Sequence, residues 1–177
     1  MLPEGHRRHI EEAVKRAWVL FGVVLFGVVL EVGMGLYVYQ QLGSRDVRWS
    51  RDAVVWTLCL SLLAAAEAVA GLLVHRWLLR PRSILRRLRA AMKQEGMGDQ
   101  VPLELLTVVA VRAVFLADVV AWILLQFITI YGLILVVITG RLWLVMTFAL
   151  ASVVLLSRTT PSRVKIERLI IALRALG

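Results

Sequence analysis

At 177 residues, 60% of them hydrophobic and with a mean hydropathy of +0.80, the chain is too apolar for a soluble domain, whose apolar share is roughly 45–50%. It reads as a single membrane domain, residues 1–177. The net charge of +9 would suggest nucleic acid in a soluble protein, but here Lys and Arg flank apolar runs, as a topology signal does, and no nucleic-acid partner is expected.

Residues 3–16 carry Glu4, Arg7, Arg8, Glu11, Glu12, Lys15 and Arg16, a solvated helical start that continues into the first apolar run. His6 and His9 lie three apart on it, and without a third ligand they read as polar surface. The first span covers about 18–38, lacks a small-x-small cleavage site and is expected to remain as a membrane helix. Within it Gly27, Glu31 and Gly35 fall on one stripe, where small residues admit a neighbouring helix, so Glu31 faces protein. A polar loop follows over residues 40–52, with Arg45, Asp46, Arg48 and Arg51, and with Tyr39 and Trp49 as interfacial aromatics.

The second span, about 54–74, puts Ala64, Glu67, Ala68 and Gly71 on one small, polar stripe that His75 closes at the interface, where it is expected to snorkel. Cys59 lies in this run, offers no disulfide partner, and reads as a small packing residue. Pro81 then breaks the helix. In the basic loop 76–101, Ile84, Leu85, Leu88, Ala91 and Met92 face one side against Arg82, Arg86, Arg87, Arg89 and Lys93, an amphipathic helix suited to an anionic membrane surface. Glu95 to Val101, with Gly96 and Gly98, is the turn, and Pro102 suits a helix start.

The third span, about 113–139, has only Asp118 and Gln126 as strongly polar groups, followed by Thr129. Thr139-Gly140-Arg141 turns into a fourth span, about 142–156, short for a ~30 Å hydrocarbon core. Its Thr147 and Ser152 are explained by hydroxyls bonded back to their own helix. Thr160-Pro161 opens a second amphipathic helix, 161–176, with Val164, Ile166, Leu169, Ile170 and Leu173 opposite Arg163, Lys165, Glu167, Arg168 and Arg174.

With four spans, Arg7, Arg8, Lys15, Arg16, the seven basic residues from Arg76 to Lys93, Arg112, and the five from Arg158 to Arg174 share one side. Arg45, Arg48, Arg51 and Arg141 take the other. The positive-inside rule then places both termini in the cytoplasm of a bacterial-type inner membrane. Counting ~1.5 Å per residue from the flanking arginines sets Glu31 and Gln126 at ~21–22 Å depth, and Glu67 and Asp118 at ~9–13 Å. No basic residue falls at those depths. The acids are therefore expected to be protonated, or to share protons or cations, as a proton or sodium path requires; the alternative is neutral acids that only hold helices together.

Ile130-Tyr131-Gly132-Leu133, four residues after Gln126, resembles the ion-binding helix of the proteolipid (c or K) subunits of rotary ATPases, in which a Glu precedes the same tetrapeptide. The stretch from the third span through Arg158 is also similar to small four-span bacterial membrane proteins with such a helix. The resemblance implies ring-like or side-by-side homo-oligomers, close packing at Gly132, and an ion site whose carboxylate is missing at Gln126. Glu31, level with Gln126, would replace it.

The expectation is an all-α, integral membrane four-helix bundle with two cytoplasmic amphipathic helices. Its leading function is proton or cation binding or translocation through Glu31, Glu67, Asp118, Gln126 and Thr129, in a homo-oligomer with no other cofactor. The alternative is a non-transporting accessory or assembly subunit of a larger membrane complex. No Ser/His/Asp or metal-ligand constellation points to an enzyme.

Overall fold

A computed structural model describes residues 4–42, 51–94 and 101–176. Arg45, Asp46, Arg48 and Trp49 of the expected polar loop, Glu95 to Gln100 of the expected turn, and the His6 side chain lie outside the described residues. The described residues form six helices and no strand: α1 (Glu4–Leu42), α2 (Arg51–Leu78), α3 (Pro81–Gln94), α4 (Leu103–Thr139), α5 (Leu142–Ser157) and α6 (Arg163–Leu176). The chain is thus all-α. Three helices, α1, α2 and α4, are long and apolar enough to cross a membrane, while α5 is apolar but shorter. Each expected span lies inside one of these helices, which runs past it at one end or both.

The breaks fall where backbone chemistry demands them. Pro81 has no N–H to donate and opens α3, while the amides of Ser83 and Ile84 close onto the Arg80 carbonyl. Between α4 and α5, Gly140 takes a φ of 65° and its N–H bonds the Val136 carbonyl at 2.8 Å, a left-handed helix stop that a side chain would strain. The second amphipathic helix begins at Arg163, two residues later than expected, because Thr160, Pro161 and Ser162 form its lead.

Contacts divide the chain into two units. The first comprises the chain through Leu20, Leu73–Val120 and the chain from Thr160. Its core joins Ile84, Leu85, Leu88 and Met92 of α3 to Ile166, Leu169, Ile170 and Leu173 of α6, with Leu106, Ala110 and Val114 of α4 and Ile10 of α1. The apolar faces expected to rest on lipid are therefore covered by one another. Two aliphatic stripes at helical spacing pack against each other in this core. Ala91 and Val164, expected on those faces, are exposed. The basic side chains Arg82, Arg86, Arg87, Arg89 and Lys93 point outward, with the Arg87 guanidinium 5.5 Å from the Trp77 ring centre. At the start of α6, Arg163 donates to Glu167 (2.7 Å) and Glu11 (2.9 Å), and the Glu167 carboxylate holds the guanidinium above its ordinary range.

The second unit comprises Phe21–Leu72 and Ala121–Thr159. Close packing here follows small residues. A Cβ at Gly132 would stand 2.8 Å from the Phe148 Cβ and 3.0 Å from the Val145 Cα, so α5 crosses α4 at backbone range. Gly35 is buried, and a Cβ there would stand 3.1 Å from a Val145 methyl; a Cβ at Gly71 would stand 3.5 Å from the Leu124 Cβ; Ala64 is buried and Ala68 half-buried. Thr147 bonds back to its own helix as expected, but the Ser152 hydroxyl donates across to the Leu125 carbonyl of α4 at 2.8 Å. A buried serine facing a neighbouring helix ties the two together. Cys59 is exposed on α2, not packed within the chain.

Gly132→Ala is expected to destabilise the detergent-solubilised protein by about 1–3 kcal/mol, since the neighbour it meets is backbone and cannot swing aside. Gly22→Ala, at an open position of α1, is expected to leave stability unchanged or raise it by up to about 1 kcal/mol. Reversible unfolding in mixed detergent–dodecyl sulfate micelles reads both.

Candidate functional site

The strongly polar side chains of α4 are the groups the sequence singled out, and each meets a partner from another helix. Asp118 is 1% exposed. Its Oδ1 accepts from His75 Nε2 at 2.8 Å when that nitrogen carries the proton, and from Lys165 Nζ at 3.4 Å; the same ammonium donates to the Thr160 carbonyl at 2.7 Å. The expectation that no basic group reaches the acids therefore does not hold for Asp118. Lys165 belongs to α6, which depth counting along the spans does not consider, and its flexible stem carries the ammonium to the buried carboxylate. A cation here answers the large cost of an isolated buried charge. Nor does His75 simply snorkel: it faces Asp118 and is only 13% exposed.

In the second unit two glutamates each use one oxygen. Gln126 Nε2 donates to Glu31 Oε1 at 3.3 Å. The geometry follows from Gly27, one turn before Glu31: a Cβ there would collide with the Gln126 amide nitrogen, so the bare glycine is the notch in which the amide lies. Tyr131 Oη donates to Glu67 Oε1 at 2.6 Å. Counting from Arg76 and Arg112 had put Glu67 level with Asp118, yet its partner lies thirteen residues further along α4. The two arginines do not mark one level, because His75, adjacent to Arg76, meets Asp118, six residues past Arg112.

The second oxygens, Glu31 Oε2 and Glu67 Oε2, are buried and have no hydrogen-bond donor among the described residues, and neither has the hydroxyl of the fully buried Thr129. Polar atoms in such positions are uncommon in folded proteins and call for a chemical explanation. Each unbonded carboxyl oxygen is an acceptor that no donor among the described residues fills. The acids are held in separate couples: among the described residues no three His, Cys, Asp or Glu side chains group as metal ligands. Nearby, Trp122 Nε1 donates to the Thr159 carbonyl at 3.2 Å and its ring meets Phe21 at 5.3 Å, fixing α4 beside the Glu31 helix.

The sequence signalled Glu31, Glu67, Asp118, Gln126 and Thr129, and missed His75, Lys165 and Tyr131 as partners. Tyr131 was visible only inside the tetrapeptide resemblance. Its position five residues after Gln126 turns it ~140° around α4, toward a different helix. Comparison with protein-family models, with curated proteins and with solved structures returns no match.

Asp118→Ala is expected to cost about 3 kcal/mol, the lower part of the range for breaking a buried ion pair, since Lys165 retains water contact. Adding Lys165→Met should return part of that loss, with a coupling of about 1–2 kcal/mol in a double-mutant cycle of unfolding free energies. Additive losses would mean the ammonium does not interact with the carboxylate.

Proposed function

We propose that this chain is an integral membrane protein whose α1, α2, α4 and α5 cross the bilayer as a four-helix bundle, and that it binds a proton or a sodium ion at Glu31 and Gln126. The observation that carries this reading is the Gln126 amide seated in the Gly27 notch, bonded to one oxygen of Glu31 while the other oxygen is buried without a donor. An ionisable group so held in apolar surroundings is a functional candidate by default. The resemblance of Ile130-Tyr131-Gly132-Leu133 to the proteolipid helix supports the same place on α4, with the carboxylate moved to α1.

Seventeen of the 21 Lys and Arg fall on one side of such a bundle, which supports cytoplasmic N- and C-termini in a bacterial-type cell membrane. Glu67 with Tyr131 forms a second carboxyl site, and Thr129 adds a buried hydroxyl. The resemblance supports side-by-side homo-oligomers, and the outward basic residues Arg82, Arg86, Arg87, Arg89 and Lys93 suit an anionic lipid surface. A second reading, an accessory subunit of a larger membrane complex, is favoured by Asp118, Glu31 and Glu67 each having a hydrogen-bond partner on another helix, as groups that hold helices together do.

A carbodiimide modifies protonated carboxyls in apolar surroundings. In the detergent-purified protein it is expected to label Glu31, with sodium or high pH suppressing the modification, and Glu31→Gln abolishing it, as read by peptide mass spectrometry. Labelling indifferent to both sodium and pH would sink the ion site and leave the accessory reading, which predicts a co-purifying partner complex.

A further inference from the structure

Arg16 and Arg112 are the last charged residues before the long apolar stretches of α1 and α4. In the first unit they line the same groove, a volume of 780 Å³ between those helices. That size falls within the ~300–1,000 Å³ typical of ligand sites. Both guanidinium groups are exposed, and neither has a hydrogen bond or ion pair among the described residues. The other polar groups on the wall are His9 and Glu12, so two fixed positive charges face one carboxylate and one imidazole.

The remaining wall is apolar. Val19 and Leu20 stand three and four residues after Arg16, and Phe115 three after Arg112, so each arginine has apolar side chains one turn along on its own helix face. Arg112 also borders a second groove of 350 Å³, whose other charged wall residue is Arg87. It therefore has cationic neighbours in both grooves.

We propose that the groove between α1 and α4 binds the phosphate headgroup of an anionic glycerophospholipid, with Arg16 and Arg112 on the phosphate and the acyl chains along Val19, Leu20 and Phe115. A planar guanidinium meets two phosphate oxygens at once, which makes a pair of unpartnered arginines a phosphate site in preference to a general cationic surface. A free phosphate would satisfy the arginines and leave the apolar wall in water. A zwitterionic lipid such as phosphatidylcholine would cover the wall, but its own ammonium already offsets its phosphate and would leave the two arginine charges uncompensated. An anionic lipid does both. The inference rests on the membrane-crossing reading above and adds to it a specific lipid at a specific place.

The test uses the full-length protein in detergent micelles and two acyl-labelled fluorescent probes, phosphatidylglycerol and phosphatidylcholine. Phosphatidylglycerol is expected to bind at least ~10-fold more tightly, the factor that about one charge-assisted hydrogen bond supplies. Arg16→Gln with Arg112→Gln is expected to reduce it to the phosphatidylcholine level, each single variant to lie between, and Arg7→Gln with Arg8→Gln, on α1 but outside the groove, to leave the preference intact. Equal binding of the two lipids, or a preference that survives the double variant, overturns the proposal. So does displacement of the lipid by millimolar inorganic phosphate, which would mark a site for the free anion. Release of the chain from membranes by alkaline carbonate would sink the bundle and the groove together. Resistance to carbonate with equal lipid binding sinks the groove alone.

Discussion

A polar side chain placed among apolar ones is costly unless a neighbouring element answers it, and the strongly polar groups of α4, Asp118 and Gln126, are answered this way. An unanswered amide or hydroxyl costs roughly 2–7 kcal/mol in apolar surroundings, more than most single packing contacts contribute. Asp118 is answered from α2 and α6, Gln126 from α1, Tyr131 from α2, and the Leu125 carbonyl from α5. These bonds choose the neighbours of α4 in a way that greasy surfaces alone cannot, since one leucine face fits another with little preference. The helix is also the most covered of the three long ones, with 44% of its most apolar window buried against 17% and 11% for α1 and α2.

Glycine does the complementary work. At Gly27 the missing side chain is space for the Gln126 amide, and at Gly132 it is space for the backbone of α5. Where no neighbour approaches, as at Gly22 and Gly33, glycine has no such role within the chain. The stripe on α1 is thus two different things under one sequence pattern: a seat for a polar group at Gly27, and a tight apolar contact with Val145 at Gly35.

Much of the fold was legible because helix breaks and hydropathy are local. Pro81, Gly140 and the Thr160-Pro161 pair ended or opened helices within a residue or two of expectation, and the pairing of Glu31 with Gln126 followed from counting along two helices in opposite halves of the chain. Register between helices was harder. Counting assumes that flanking arginines share a level, but the His75–Asp118 bond places Arg76 and Arg112 at different levels, and Glu67 was misplaced for that reason. Lys165 was invisible as a partner of Asp118 because an amphipathic helix carries its lysines at regular intervals, and nothing local says which one turns inward. The covering of α3 by α6 was equally hidden: the same amphipathic pattern fits a lipid surface and a second helix, and only three-dimensional packing tells them apart.

The mutual covering of α3 and α6 bears on how the chain is made. About seventy residues separate the end of α3 from the start of α6, and at ~5–20 residues per second a ribosome takes roughly 4–14 s to traverse them. For that interval Ile84, Leu85, Leu88 and Met92 lack the aliphatic face that finally shields them. Nascent α3 must therefore be sheltered in the meantime, by the bilayer surface or by a chaperone. The first unit can close only after α4 and α5 have been synthesised, which makes the order of synthesis a part of its folding problem.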